Sequence, residues 1–295
     1  MRIVRIKEFY IPAFVLAFIF CGAIVGENVS ISLVVSALGS QVLSKLYLVN
    51  GILLCGLPIL FFQKIDRIDR GKLLSRQLLV ISAILLLLLI GMIVVTHYNH
   101  PLKNYVLLLL YPFSYLTKTI LFLTFWTLAN DIFPTGEAKK VFPLIAAWGM
   151  AGGLSGACIA RIIVNAFTIE SVVVLWTISY LAAWYFAEKI RIRYQDRLRF
   201  REDLPVKNDI LSDATDVITL QIVRLIAVLY FVVFVGIFSI DFLFWNISHK
   251  VFTTSETLVS FQFGFYLFHA LAAIGGLWFA LPPLIRKFGF TRLFY

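Results

Sequence analysis

The sequence predicts an all-α membrane protein, a helical bundle of about eight transmembrane helices. Three observations predict it. Of 295 residues, 61% are hydrophobic and only 14% charged, with a mean hydropathy of +0.92. A soluble domain has about half its residues apolar and about a quarter charged, so this surplus calls for lipid. The apolar residues gather in runs close to the roughly 20 residues that cross a hydrocarbon core. The formal charge of +10 falls mostly in alternate connectors, as the positive-inside rule expects for a cytoplasmic N-terminus.

The runs, in order, start with Phe9–Gly26. This run is too long for a cleaved leader and leads into Gly26-Glu27-Asn28 rather than a small-x-small site. Leu46–Phe62, Gln77–Thr96, Val141–Ala160, Ser171–Ala187 and Thr257–Ile285 also lack acids, Lys and Arg. Asn104–Asn130 is broken only by Lys118, and Leu225–Ser248 only by Asp241. The expected cytoplasmic segments carry clusters such as Arg2/Arg5/Lys7, Lys64–Arg76 and Lys189–Lys207, while the opposite side holds Lys45, Lys103 and Lys250. This scatter over many connectors follows membrane topology and gives no nucleic-acid footprint. Tyr10, Tyr98 and Trp245 are expected in the interfacial aromatic belt. Cys21, Cys55 and Cys158 lie in apolar runs without metal or disulfide spacing and are expected to be small buried packing residues.

Between the fourth and fifth runs stands a polar knot. Pro134 and Gly136 break the helix, Thr135 is the expected N-cap of the next one, and Glu137 in its first turn complements the helix dipole. The following helix carries Gly149, Gly152, Gly153 and Gly156, small residues at a spacing that lets helices approach closely. They are either a packing stripe or a sliding contact between two halves. Ile190, Tyr194 and Leu198 share helical spacing, so the basic stretch after the sixth run is either a surface helix or a solvated connector.

Six helices, a long basic loop and further helices resemble the layout of the major facilitator superfamily. The domains then read as a six-helix N-terminal bundle over residues 1–188, a cytoplasmic linker over 189–218, and the start of a C-terminal bundle over 219–295. Leu57-Pro58 before Lys64–Lys72, and Leu281-Pro282 before Arg286–Arg292, echo one another as parallel repeats would. Eight helices are six plus two, so the sequence is expected to be a truncated member whose remaining C-terminal helices are partners; a complete eight-helix protein is the alternative. More specifically, Phe125-Trp126, Ala129-Asn130-Asp131, Glu137-Ala138-Lys139-Lys140, Phe142-Pro143-Leu144-Ile145 and Gly152-Gly153 resemble the helix 4–5 signature of the nucleotide transporter (ATP/ADP translocase) family. Val35-Ser36-Ala37-Leu38-Gly39, with Leu43 and Tyr47, is similar to that family's helix 1–2 connector. The chain departs from the pattern at Ser30-Ile31, where that family usually has an Arg-Asp pair. The resemblance implies a transporter of the cell (inner) membrane with nucleotide exchange as a candidate activity.

Ionisable groups at bilayer depth cost roughly 2.5–3.5 kcal/mol each on insertion scales, so they face a cavity or a partner. Lys118 sits mid-helix with Tyr111, Ser114 and Tyr115 on its face. It either contacts an anionic group of a solute or forms a structural ion pair within the N-terminal bundle. An anion pocket requires that no carboxylate of the protein already holds the ammonium. Glu27 and Asp241, each read as lying near the outer end of its helix, are candidates for a gate with Arg161 or for carrying a coupling proton; placement in interfacial water is the alternative. Arg161 is also read as solute-binding or as snorkelling outward, Arg224 as an inner gate or snorkelling inward, and His269 as packing or a proton relay.

The expected function is a secondary transporter working by alternating access on a small anionic metabolite, ATP/ADP exchange included. The alternatives are a permease for another small solute and a non-transporting anchor or sensor. No P-loop, metal-ligand cluster or nucleophile elbow is found, so neither an enzyme nor a cofactor or metal is expected.

Overall fold

A computed structural model describes residues 9–65, 69–98, 102–194, 221–252 and 254–275. The described residues form eight helices and no strand: α1 (Tyr10–Leu38), α2 (Val42–Ile65), α3 (Arg70–His97), α4 (Lys103–Ile132), α5 (Thr135–Ala166), α6 (Ile169–Arg193), α7 (Gln221–Val251) and α8 (Ser255–Gly275). Six of them, α1, α3, α4, α5, α6 and α7, are long and apolar enough to cross a membrane, while α2 contributes a shorter apolar stretch, Val42–Leu54. This is the architecture of a multi-pass membrane protein. Among the described residues six helices meet that length and hydropathy, and the eighth run, Thr257–Ile285, extends beyond the described residues.

The centre of the bundle is α1. It packs against α4, α5, α6 and α8, while α3 lies outside against α4 and α6, and α2 lies against α4. A helix that is apolar on all sides belongs in a core or a bilayer, and α1 is in both positions. Leu16, Ile19, Val25, Val29 and Val34 are completely buried.

Glycine sets how closely its neighbours come. A Cβ on Gly22 would strike the Tyr180 ring, one on Gly26 the Trp176 ring, and one on Gly152 of α5 the backbone carbonyl of Ala17. Close approach of this kind is what small residues supply inside membranes. The stripe of α5 is thus chiefly a packing seam against α1: Gly149 faces Leu16 and Phe20, Gly156 faces Cys21, and Gly153 alone also looks toward α8, through Tyr266.

Helix α1 runs twelve residues beyond the first apolar run (26 to 38). Val35–Leu38 is therefore helical rather than connector. The chain reverses at Gly39, whose φ of 80° suits a residue without Cβ. Helix α2 begins at Val42 rather than Leu46.

The polar knot forms as a tight reversal between α4 and α5. Pro134, not Thr135, occupies the N-cap position, no side chain caps the helix, and Glu137 does lie in the first turn. Asp131 also accepts hydrogen bonds at 2.8 and 2.7 Å from Nη1 of Arg70 on α3, an ion pair that is 12% and 13% exposed. Ile190 and Tyr194 are buried, and α6 simply continues to Arg193; Leu198, the rest of the linker and the repeat-like Arg286–Arg292 turn lie outside the described residues. Tyr10 and Tyr98 are exposed as belt residues are, whereas Trp245 is 1% exposed and belongs to the interior. Cys21 is buried but Cys158 is exposed, so only the former is a packing residue; the side chain of Cys55 lies outside the described ones.

Helices α7 and α8 meet the first six through the second half of α7 and the first half of α8. Ser36 and Ser255 bring their hydroxyls within 2.8 Å, and Ser40 donates to Oδ1 of Asn246 at 3.1 Å. These contacts gather where α1 ends and α2 begins. Away from that end, the described side chains of α7 from Arg224 to Ile240 are all exposed, as are Phe265, Phe268, His269 and Leu271 of α8.

Candidate functional site: a charged chamber between α1, α2, α4 and α7

Two charged contacts occupy the interior between these helices. Nζ of Lys118 on α4 donates to Oε2 of Glu27 on α1 at 2.5 Å. The two side chains are 33% and 23% exposed, so the pair is neither dry nor free in solvent. Helix α1 positions Glu27 because its last three turns are helical. The carboxylate sits well inside a 29-residue helix, not at the outer end where interfacial water would reach it. Helix α4 brings Lys118 to the same depth, and the hydroxyls of Ser30 and Ser114, within 2.9 Å, tie the two helices beside the pair.

The second contact joins α2 to α7. The Tyr47 hydroxyl donates to Oδ2 of Asp241 at 2.6 Å, and the Tyr47 ring packs 5.1 Å from that of Phe238. The Trp245 indole stands beside the same carboxylate. Asp241 is likewise interior to its helix, ten residues before Val251 (251 − 241).

The two contacts share one space. Glu27 and Asp241 are within electrostatic reach of each other, and the hydroxyls of Tyr111 and Tyr115 are within reach of both. The rings of Tyr111 and Tyr115 lie 4.9 Å apart, and Nζ of Lys118 stands 5.9 Å from the Tyr115 ring centre. Tyr266 of α8 looks toward Glu27 from a further side. In a hydrocarbon setting an unpaired charge is costly and a paired one tolerable, which accounts for the lysine and one carboxylate. Among the described residues the second carboxylate is held by neutral donors alone.

The other expected site residues are placed elsewhere. Arg161 is exposed and reaches across to α8, where its guanidinium lies so close to Gly264 that a Cβ there would sit 2.6 Å from Nη1. It makes no ion pair among the described residues and forms no gate with Glu27 and Asp241. Arg224 is exposed on the first turn of α7, and His269 is exposed on α8 with its ring 6.5 Å from that of Phe265, so His269 is not interior packing. Of the sequence-derived residues, the structure gathers Lys118, Tyr115, Tyr111, Glu27 and Asp241.

Sequence reasoning missed Tyr47, Asn50 and Trp245. Tyr47 and Asn50 lie three apart at the start of α2, and Asn50 is 5% exposed with both amide atoms unpartnered among the described residues. An amide inside an apolar run was the available signal. Comparison of the chain with protein-family models, curated proteins and solved structures found no match.

Proposed function

We propose that the chain is a secondary carrier of the cell (inner) membrane, moving a small solute by alternating access between the α1–α6 bundle and a unit that includes α7 and α8. The observation that carries this reading is the chamber itself. Two carboxylates, one ammonium and several phenols converge at mid-helix depth from both units, where a purely structural bundle would be apolar. The exposed first half of α7, from Arg224 to Ile240, leaves that unit free of the first six helices along part of its length. The packing of α8 on α5 fits a major-facilitator-like arrangement, and the nucleotide-transporter resemblance belongs to the same proposal.

The Lys118–Glu27 pair fails the requirement set for a ready anion pocket and matches the alternative of an ion pair within the N-terminal bundle, so an anionic solute, nucleotide included, is the demanding version of this proposal. Lys118 is held by Glu27, so an anion reaches the ammonium only by displacing that carboxylate. Counterflow of labelled ATP, ADP and other phosphates in cells expressing the chain tests this. Saturable exchange lost in Lys118→Met supports the anion version. No exchange of any phosphate compound removes it, and uptake of a neutral or cationic solute redirects the reading to another permease.

A further inference from the structure

We propose that the chamber binds one monovalent alkali cation, Na+ or K+, through oxygen ligands that include Asp241 and Asn50. This concerns a binding site and stands whether or not a solute is carried.

The charge balance comes first. Glu27 and Lys118 cancel as a pair. Among the described residues Asp241 has only neutral donors, Tyr47 and the Trp245 indole, against it. The chamber is left with a formal charge of −1, which one monovalent cation neutralises and a divalent one would invert. Among the described residues no three His, Cys, Asp or Glu side chains gather, so the donor set is not one for a transition metal. It is a set of hard oxygens, the ligands that hard cations prefer.

Asn50 is an independent observation. Its side chain is 5% exposed, yet neither amide atom has a hydrogen-bond partner among the described residues. It sits one turn after Tyr47 on α2, and so on the face that meets Asp241. The Tyr111 hydroxyl stands next to its amide without completing a hydrogen bond, and that hydroxyl lies within reach of both carboxylates. A buried amide without a partner costs free energy that native structures rarely leave uncompensated. A cation taking Oδ1 of Asn50 together with Asp241 resolves the orphaned amide and the uncompensated charge at once.

The test uses the purified full chain in detergent. Thermal unfolding is followed in NaCl, KCl and choline chloride at equal ionic strength, alongside equilibrium dialysis with 22Na+ and 86Rb+. The expected result is a higher Tm in Na+ or K+ than in choline and saturable binding of one ion per chain. Asp241→Asn should weaken that binding by at least about tenfold, equivalent to about 1.4 kcal/mol. Should Asp241→Asn fail to fold, Asn50→Leu keeps the question open. It removes the orphaned amide, so it should fold as well as wild type in choline while losing most of the Na+ or K+ effect. Exposed Cys158→Ser should behave as wild type. The proposal is overturned by equal Tm values in all three salts with no saturable ion binding, by an alkali effect unchanged in Asn50→Leu, or by stabilisation that follows pH and ignores the alkali ion, which would make the ligand a proton. No flux is measured, so failed counterflow leaves this site standing, and a negative result here leaves the carrier reading standing.

Discussion

Replacing Lys118 by Met tests the central contact most directly. The substitution keeps the length of the side chain and removes its charge, leaving Glu27 facing Tyr115 and Asp241 alone. At charge separations of about 4 Å and an effective dielectric of about 20, an ion pair is worth about 4 kcal/mol of Coulomb energy. The 33% and 23% exposure of the two side chains lets solvent screen part of this, and about 2 kcal/mol remains as the expected loss. At about 2–4 °C per kcal/mol for a domain of 150–250 residues, Tm should fall by about 4–8 °C. Glu27→Gln should cost a similar amount by stranding the ammonium. The double variant is decisive, because removing both charges leaves no uncompensated one, and it should recover at least half of either single loss. Thermal unfolding of the purified variants in one detergent measures all three. Additive losses in the double variant would refute the pairing and return Lys118 to the role of a free anion receptor.

Three further outcomes follow from the geometry. Arg70→Ala should destabilise by about 3 kcal/mol, because it leaves Asp131, 13% exposed, without its guanidinium; Tm and protease resistance of the α4–α5 turn report it. Gly152→Ala should cost about 1–3 kcal/mol, since its Cβ would run into the Ala17 carbonyl, a backbone atom that cannot swing aside. Gly91→Ala on α3, with nothing within 4 Å of its Cβ, should be neutral or gain about 0.5–1 kcal/mol from reduced backbone entropy. Paired cysteines at Ser36 and Ser255, whose hydroxyls are 2.8 Å apart, should form a disulfide in membranes under mild oxidation; if the chain is a carrier, that bridge should stop counterflow and a reductant should restore it.

Each described helix overlaps one of the apolar runs, because a bilayer demands stretches of that length whatever their tertiary partners. The same criterion cut several helices short, and one of these errors touches the site. Glu27 is charged, so the first run stopped before it, while the real helix carries on through Asn28, Ser30 and Ser32, all buried. That error moved Glu27 to an imagined surface and hid its pairing with Lys118. A charge inside a bundle is compatible with helix when its partner lies on a neighbour, and a single sequence does not display neighbours. The Tyr47–Asp241 bond joins positions 194 apart, and no local pattern marks it. The type of Trp245 and its position near a helix end point to an interface, whereas it is 1% exposed and interior. The glycines of α5 were legible as a close-packing seam, but their partner, α1 of the same bundle, was not.

The enclosure of α1 has a consequence for how the chain is made. This helix leaves the ribosome before α4, α5 and α6, yet 72% of its most apolar window is buried in the finished fold, largely against these later segments. Until α4 is synthesised, Glu27 has no Lys118 and must enter, or wait beside, the lipid as an unmatched carboxylate. Expressed alone, α1 should therefore integrate into membranes less efficiently than a Glu27→Leu version of itself.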